Sequence, residues 1–203
     1  MPRCSLLLCF VAAAQPAAAQ LEFTPYVGVY IPTAHLIDEP NNSQYSYVKH
    51  DAERAGGIKL TAWIRPRIAL EGDALYSPSG TTGPTFGDQS GKVGIASFRL
   101  LYAASSWEHS SLYAFAGPAA AFHRGAAWDS VTTIRAANGM STSSSSWGGV
   151  FGIGVRGNRK GPVTWHVEVL DNYYEFPGIF TPQKQNDVVI SAGLRLVFSG
   201  PSH

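Results

Sequence analysis

The sequence predicts an all-β chain: a closed antiparallel up-and-down transmembrane β-barrel of about eight strands, preceded by a cleaved N-terminal signal peptide. Three observations predict it. Apolar and polar residues alternate with period two along most of the chain after Gln20. The connections between the alternating segments run long, short, long, short from start to finish. The first 20 residues have the three-part form of an export signal.

That signal begins with the short positive segment Met1-Pro2-Arg3 and continues in the apolar stretch from Ser5 to Ala14. Ala17-Ala18-Ala19-Gln20 supplies small residues for a signal peptidase. The apolar stretch is too short to cross a bilayer as a helix. The expected division is therefore a signal peptide over 1–20 and a barrel domain over 21–203. Both cysteines, Cys4 and Cys9, lie inside the signal, and the large Leu8 before Cys9 argues against lipidation. The mature chain has neither disulfides nor a thiol nucleophile. No later run of about 18 apolar residues offers a membrane helix.

Eight strands are read, in order, at Glu22–Ile31, Arg54–Ile64, Arg67–Ser77, Lys92–Ala103, Leu112–Phe122, Trp147–Arg156, Val163–Asn172 and Asp187–Phe198. About 11 residues rising ~3.3 Å each at a tilt of ~40° span about 27 Å, close to the apolar band of an outer-membrane barrel. Three connections are short: Ile64-Arg65-Pro66-Arg67, the segment around Trp107-Glu108-His109, and Gly157–Gly161. Four are long and polar: Pro32–Glu53, Pro78–Gly91, His123–Ser146 and Tyr173–Asn186. Outer-membrane barrels show this asymmetry between periplasmic turns and outer loops.

The faces follow from parity. Val163, Trp165, Val167 and Val169 share one face, and Thr164, His166 and Glu168 the other. Val188, Ile190, Ala192, Leu194, Leu196 and Phe198 oppose Ser191, Gly193 and Arg195. Ile58, Leu60, Ala62 and Ile64 alternate with Lys59, Thr61 and Trp63, so Trp63 falls on the lumen face unless a bulge intervenes. The apolar faces are expected to meet lipid. Aromatics near strand ends suggest two interfacial girdles. Phe23, Tyr102, Tyr113, Trp165 and Phe198 form one, and Tyr30, Tyr76, Phe122, Trp147 and Tyr173 the other.

Composition agrees. Charged residues are 14% of the 203, against about a quarter in soluble domains, while aromatics reach 12%. The formal net charge of +1 points to no nucleic-acid or acidic partner. Metal motifs, phosphate-cradling glycine loops and nucleic-acid signatures are absent from the sequence, so no cofactor or metal site is expected.

The most specific motif is Ser191-Ala192-Gly193-Leu194-Arg195-Leu196-Val197-Phe198. Its polar residue, glycine, apolar residue and final aromatic, at Ser191, Gly193, Leu196 and Phe198, resemble the C-terminal β-signal of outer-membrane barrels. The resemblance implies recognition by the barrel-assembly machinery, although five residues follow Phe198 here. With its architecture, the chain resembles the small outer-membrane β-barrel proteins, the group that includes the OmpA transmembrane domain and OmpX. That resemblance implies residence in the Gram-negative cell envelope, with outer-membrane lipid and lipopolysaccharide as neighbours. It does not extend to a subfamily with a known ligand.

Lumen parity collects Lys59, Glu71, Asp73, Arg99, His166, Glu168 and Arg195. A turn centred on Pro66 sets Lys59 across from Asp73. An eight-stranded barrel is just wide enough for its side chains to fill it, and buried ions must pair. The expectation is a salt-bridged plug without an open pore.

Three functions compete. The leading one is a non-enzymatic outer-membrane barrel with a structural or surface-interaction role. A secreted calycin-like barrel binding a small apolar ligand would reverse the two faces. A lipid A-modifying enzyme is third, and the sequence argues against it. Lipid A deacylases of this architecture carry His-x-Ser-Asn, whereas Val169-Leu170-Asp171-Asn172 lacks the His and Ser. His109-Ser110-Ser111 has the wrong spacing and sits in a turn, so no hydroxyl has a convincing base. Asn138–Ser146 reads as a flexible polar surface loop. Asp38, Glu39, Asp51 and Glu53 read as solvated charges.

Overall fold

In the computed structural model the described residues are 20–35, 37–38, 47–82, 88–107, 109–157, 162–176 and 182–198. Eleven strands and one helix follow in chain order: β1 Gln20–Pro32, β2 Ile37–Asp38, β3 Tyr47–His50, β4 Glu53–Arg65, β5 Ile68–Ser77 and β6 Thr81–Thr82, then β7 Lys92–Ser106, β8 Ser110–Arg124, α1 Ala126–Ala137, β9 Ser145–Gly157, β10 Val163–Phe176 and β11 Gln183–Phe198. Eight of them close a barrel in the order β1-β11-β10-β9-β8-β7-β5-β4, each antiparallel to its neighbours. Closure pairs the first strand with both the last and the second of the eight, so no apolar edge is left open. The short β2, β3 and β6 form a separate three-stranded sheet built from the long outer connections.

Each sequence-read strand lies within or nearly within an observed one, and several observed strands run further outward. β10 continues to Phe176 and β11 begins at Gln183, so much of the expected loop Tyr173–Asn186 is ladder. The Pro66 turn holds the register as read: Lys59 is the partner of Asp73. A register shift between Trp63 and Arg65 accommodates that turn. Residues 158–161, residues 36 and 39–46 of the first long connection, and all of the expected signal peptide 1–20 except Gln20 lie outside the described residues. So do Glu39 and Glu108.

Side-chain parity gives the barrel an apolar outside. Val27, Ile58, Leu60, Phe98, Leu100, Ile153, Trp165, Ile190, Leu194 and Phe198 are all exposed on the wall. This polarity is the opposite of a secreted ligand-binding barrel, whose solvent face must be polar. Two expected girdle aromatics are corrected: Tyr30 and Tyr113 are buried and point inward. Their hydroxyls have acidic acceptors inside, and β1 and β8 put them on the same face as Glu22 and Phe115. Tyr76, Tyr102, Phe122, Trp147, Trp165, Tyr173 and Phe198 are exposed as read.

The helix α1 was not legible as periodicity, and it replaces part of the expected loop His123–Ser146. Gly125, at φ +109°, turns the chain out of β8 into the helix. Asp129 in the first turn and Arg135 in the last complement the helix dipole. The end is a Schellman motif around Gly139 (φ +69°): Met140 N–H donates to Arg135 O at 2.9 Å and Gly139 N–H to Ala136 O at 3.0 Å. Trp128 and Val131 are buried, with Ile134 packed beside them, so one face of α1 covers the outer mouth of the barrel. Trp128 meets Phe176 edge-on at 5.1 Å between ring centroids.

Candidate functional site

The interior carries the concentrated chemistry, and it is stratified. Nearest the short turns, β1, β9 and β11 supply Glu22, Arg156 and Arg195. Arg195 donates to both oxygens of Glu22, with Nε at 3.0 Å, and a further N–H donates to Gly157 O at 3.1 Å. Arg156 stacks over the Trp63 ring at 3.7 Å from the centroid and donates to Ser111 Oγ at 2.9 Å. The inward orientation of Trp63 therefore gives the guanidinium a π face, a favourable partly buried arrangement.

One layer outward, β4, β5, β7 and β10 converge Lys59, Glu71, Asp73, Arg99, His166 and Glu168, all buried. Lys59 pairs with Glu168 and lies 3.3 Å from His166 Nε2. Arg99 pairs with Asp73 and reaches Glu71 at 3.3 Å and Glu168 at 3.4 Å. Neutral donors complete the carboxylate shells: Tyr113 to Glu168 at 2.5 Å, Tyr26 to Asp73 at 2.9 Å, Thr61 to Glu71 at 2.7 Å. Full pairing of this kind is what makes several buried ions tolerable. The cavity between this layer and the one beneath, lined by Lys59, Glu71, Glu168, Glu22, Arg156 and Arg195 among others, holds about 10 Å³, roughly one water molecule.

Further outward comes an apolar stratum of Leu75, Ile95, Val150, Leu170 and Val189. Above it, Tyr30 and Tyr174 both donate to Asp187, at 2.6 and 2.5 Å. His123 Nε2 lies 3.3 Å from the Tyr174 hydroxyl, and its ring stacks on His50 with 5.4 Å between centroids. His50 Nδ1 lies 3.2 Å from the Gly80 carbonyl. Burial pushes the His50 imidazole below its ordinary value, against the opposing pull of that carbonyl and of Asp51.

Six of the seven ionisable residues read from lumen parity share one layer, and Arg195 stands in the layer beneath. Glu22, Arg156, Tyr26 and Tyr113 were missed, although parity with Thr24 on β1, Val150 on β9 and Phe115 on β8 puts them inside. The outer cluster of Tyr30, Tyr174, Asp187, His50 and His123 was missed as well. It depends on β10 and β11 extending past their read ends. Of the expected assembly residues, Ser191 is buried in the wall, and Leu196 and Phe198 face outward on β11. Gly193 leaves room for neighbours: a Cβ there would strike the Pro25 carbonyl, the His166 ring and Tyr26. Asn172 points inward toward the Asp187 carbonyl, with no hydroxyl nucleophile beside it in its strand. Among the described residues, no group of three His, Cys, Asp or Glu side chains is placed to hold a metal ion.

A closed eight-stranded antiparallel barrel, apolar outside and ion-paired within, defines an integral outer-membrane β-barrel protein. The chain belongs to the outer membrane protein beta-barrel domain family, whose family model matches residues 4–177, and it resides in the cell outer membrane. Among solved structures it is similar to the outer membrane protein OprG of Pseudomonas aeruginosa. The TM-score is 0.61 at 15% identity, over 90% of this chain and 97% of that one. It is also similar to Neisserial surface protein A, with TM-score 0.56 and 13% identity over 89% and 97% of the two chains. Outer membrane protein W of E. coli gives TM-score 0.53 and 14% identity over 91% and 100%. At these identities the likeness is one of fold. No curated protein sequence matches the chain.

Proposed function

We propose that the protein is a non-enzymatic structural or surface-interaction component of the outer membrane whose lumen does not conduct. The observation that carries this reading is the central layer, where Lys59 and Arg99 are buried in ion pairs with Glu71, Asp73 and Glu168, and the cavity between it and the Glu22–Arg195 layer holds only about 10 Å³. A hydrated ion passing through would have to break several buried pairs at once. The cavity beside Glu71 and Glu168 has room for about one water molecule, which supports a charge network of structural purpose. Export by a signal peptide over 1–20 and assembly through Ser191, Gly193, Leu196 and Phe198 complete the proposal. Contact with other molecules then falls to the outer segments and to the rim that meets lipopolysaccharide.

Planar-bilayer recording tests the closed lumen. The purified barrel is expected to give no unitary conductance, and the Arg99→Ala/Glu168→Ala double variant to give measurable current. Steady channels from the unmodified protein would overturn the reading.

A further inference from the structure

The outward surface near the outer ends of β4, β5, β7 and β8 has an unusual arrangement of charge. Gly56 pairs with Tyr76, Tyr76 with Gly94, and Gly94 with Phe122, so these four form one outward row across four strands. One outward-facing position further along β4, β7 and β8 stand Arg54, Lys92 and Arg124, all exposed. Lys92 and Arg124 are direct cross-strand partners. Like charges placed opposite each other in a sheet are destabilising unless something lies between them. Among the described residues neither makes an ion pair; the exposed carboxylates of this region belong to Asp51, Glu53, Asp88 and Asp129.

The row beneath is corrugated. Tyr76 and Phe122 stand out from the wall, 50% and 42% exposed. Gly56 and Gly94 leave open troughs beside them. A Cβ at either would meet only a backbone oxygen, at 3.7 Å from Tyr26 O and 3.9 Å from Leu75 O. Aromatic ridges mark the headgroup level of a membrane. Cations immediately beyond them face the charged part of the outer leaflet, with the open Gly56 and Gly94 troughs below.

We propose that Arg54, Lys92 and Arg124 form a binding site for the phosphate groups of a glycolipid of the outer leaflet, its acyl chains lying along the Gly56 and Gly94 troughs. Adjacent strands stand ~4.8 Å apart, so one phosphate accepts from Lys92 and Arg124 together and removes their mutual repulsion. Arg54, two strands away, meets a second phosphate or a core sugar acid. The site rests on outer-membrane residence and is independent of whether the lumen conducts.

The test uses the folded full-length mature barrel in detergent and a fluorescent bisphosphorylated lipid A, read by anisotropy. The unmodified protein is expected to bind this lipid at least tenfold more tightly than the same lipid without phosphates. Lys92→Gln/Arg124→Gln is expected to weaken binding roughly twentyfold, Lys92→Arg to preserve it, and Arg65→Gln/Arg67→Gln at the opposite end to leave it unchanged. Heat-modifiable gel mobility verifies that each variant is folded. Inorganic phosphate at millimolar excess is expected not to displace the lipid; full displacement would make this a bare phosphate site and overturn the glycolipid assignment. Equal binding of the phosphorylated and dephosphorylated lipids by the unmodified protein would overturn the proposal without any variant. So would unaltered binding by the folded Lys92→Gln/Arg124→Gln form.

Discussion

Lys59 stands directly opposite Asp73 across the β4–β5 ladder, yet its ammonium pairs with Glu168 on β10. Asp73 is taken by Arg99 from β7, which also reaches Glu168. Glu168 thus joins both cations of the central layer and accepts the Tyr113 hydroxyl besides.

Removing that carboxylate alone leaves the buried Lys59 ammonium without its carboxylate partner, while Arg99 keeps Asp73 and Glu71. Glu168→Gln is expected to destabilise the barrel by about 3–5 kcal/mol. The double change Lys59→Met/Glu168→Leu, which removes charge from both sides, is expected to recover most of the loss. Urea unfolding in lipid vesicles, followed by tryptophan fluorescence, measures both. Equal stability of the single variant and the parent would contradict a coupled layer.

Acid acts on the outer cluster through His50. An imidazole held below its ordinary value of about 6.5 binds a proton more readily in the unfolded chain. Its stabilising contribution is therefore complete above about pH 6.5 and declines as pH falls. The groups facing it are the stacked His123, the Tyr30 ring, the Gly80 carbonyl and Asp51. Protease cleavage of the outer segments should rise between about pH 7.5 and about pH 5, and His50→Phe should flatten that rise. An identical slope in both proteins would rule His50 out as its origin.

Phe198 separates assembly from stability. It is exposed on the wall and makes no interior contact that would hold the barrel together. Phe198→Ser is expected to lower the heat-modifiable fraction recovered from cells severalfold while leaving refolding into lipid vesicles unchanged. Gly193→Leu is expected to impair both, because its side chain would collide with the Pro25 carbonyl and the His166 ring. Normal assembly of Phe198→Ser in cells would remove the residue from any signalling role.

The lipid face predicts a depth profile. Leu60→Arg, well inside the span, is expected to cost about 2–4 kcal/mol, and Ile64→Arg, beside the Pro66 turn, about 0–1 kcal/mol. Both side chains are exposed on the wall. Unfolding equilibria in vesicles give the two values directly, and equal penalties would place neither at the depth assigned.

Strands and register were readable because period two is unambiguous over a dozen residues, and a proline turn counts the offset exactly once. The opposition of Lys59 and Asp73 came from that alone. Their actual ion-pair partners did not, since contacts across the lumen depend on stagger accumulated around eight strands. Tyr30 and Tyr113 were placed among the girdles by their position near strand ends, although parity alone would have sent them inward. Glu22 and Arg156 escaped notice as strand-terminal charges. The helix α1 hid because its apolar positions, Trp128, Val131 and Ile134, span barely two turns among threonines and serines; only Asn138-Gly139 marked its end.

The apolar stratum of Leu75, Ile95, Val150, Leu170 and Val189 separates the ionic layers from the tyrosine–histidine cluster. No hydrogen bond or ion pair among the described side chains bridges it. Perturbations on its two sides should add independently. Evolution could thus rewrite the half that faces the outside world while the half that faces the cell stays fixed, like two tenants sharing one insulated wall.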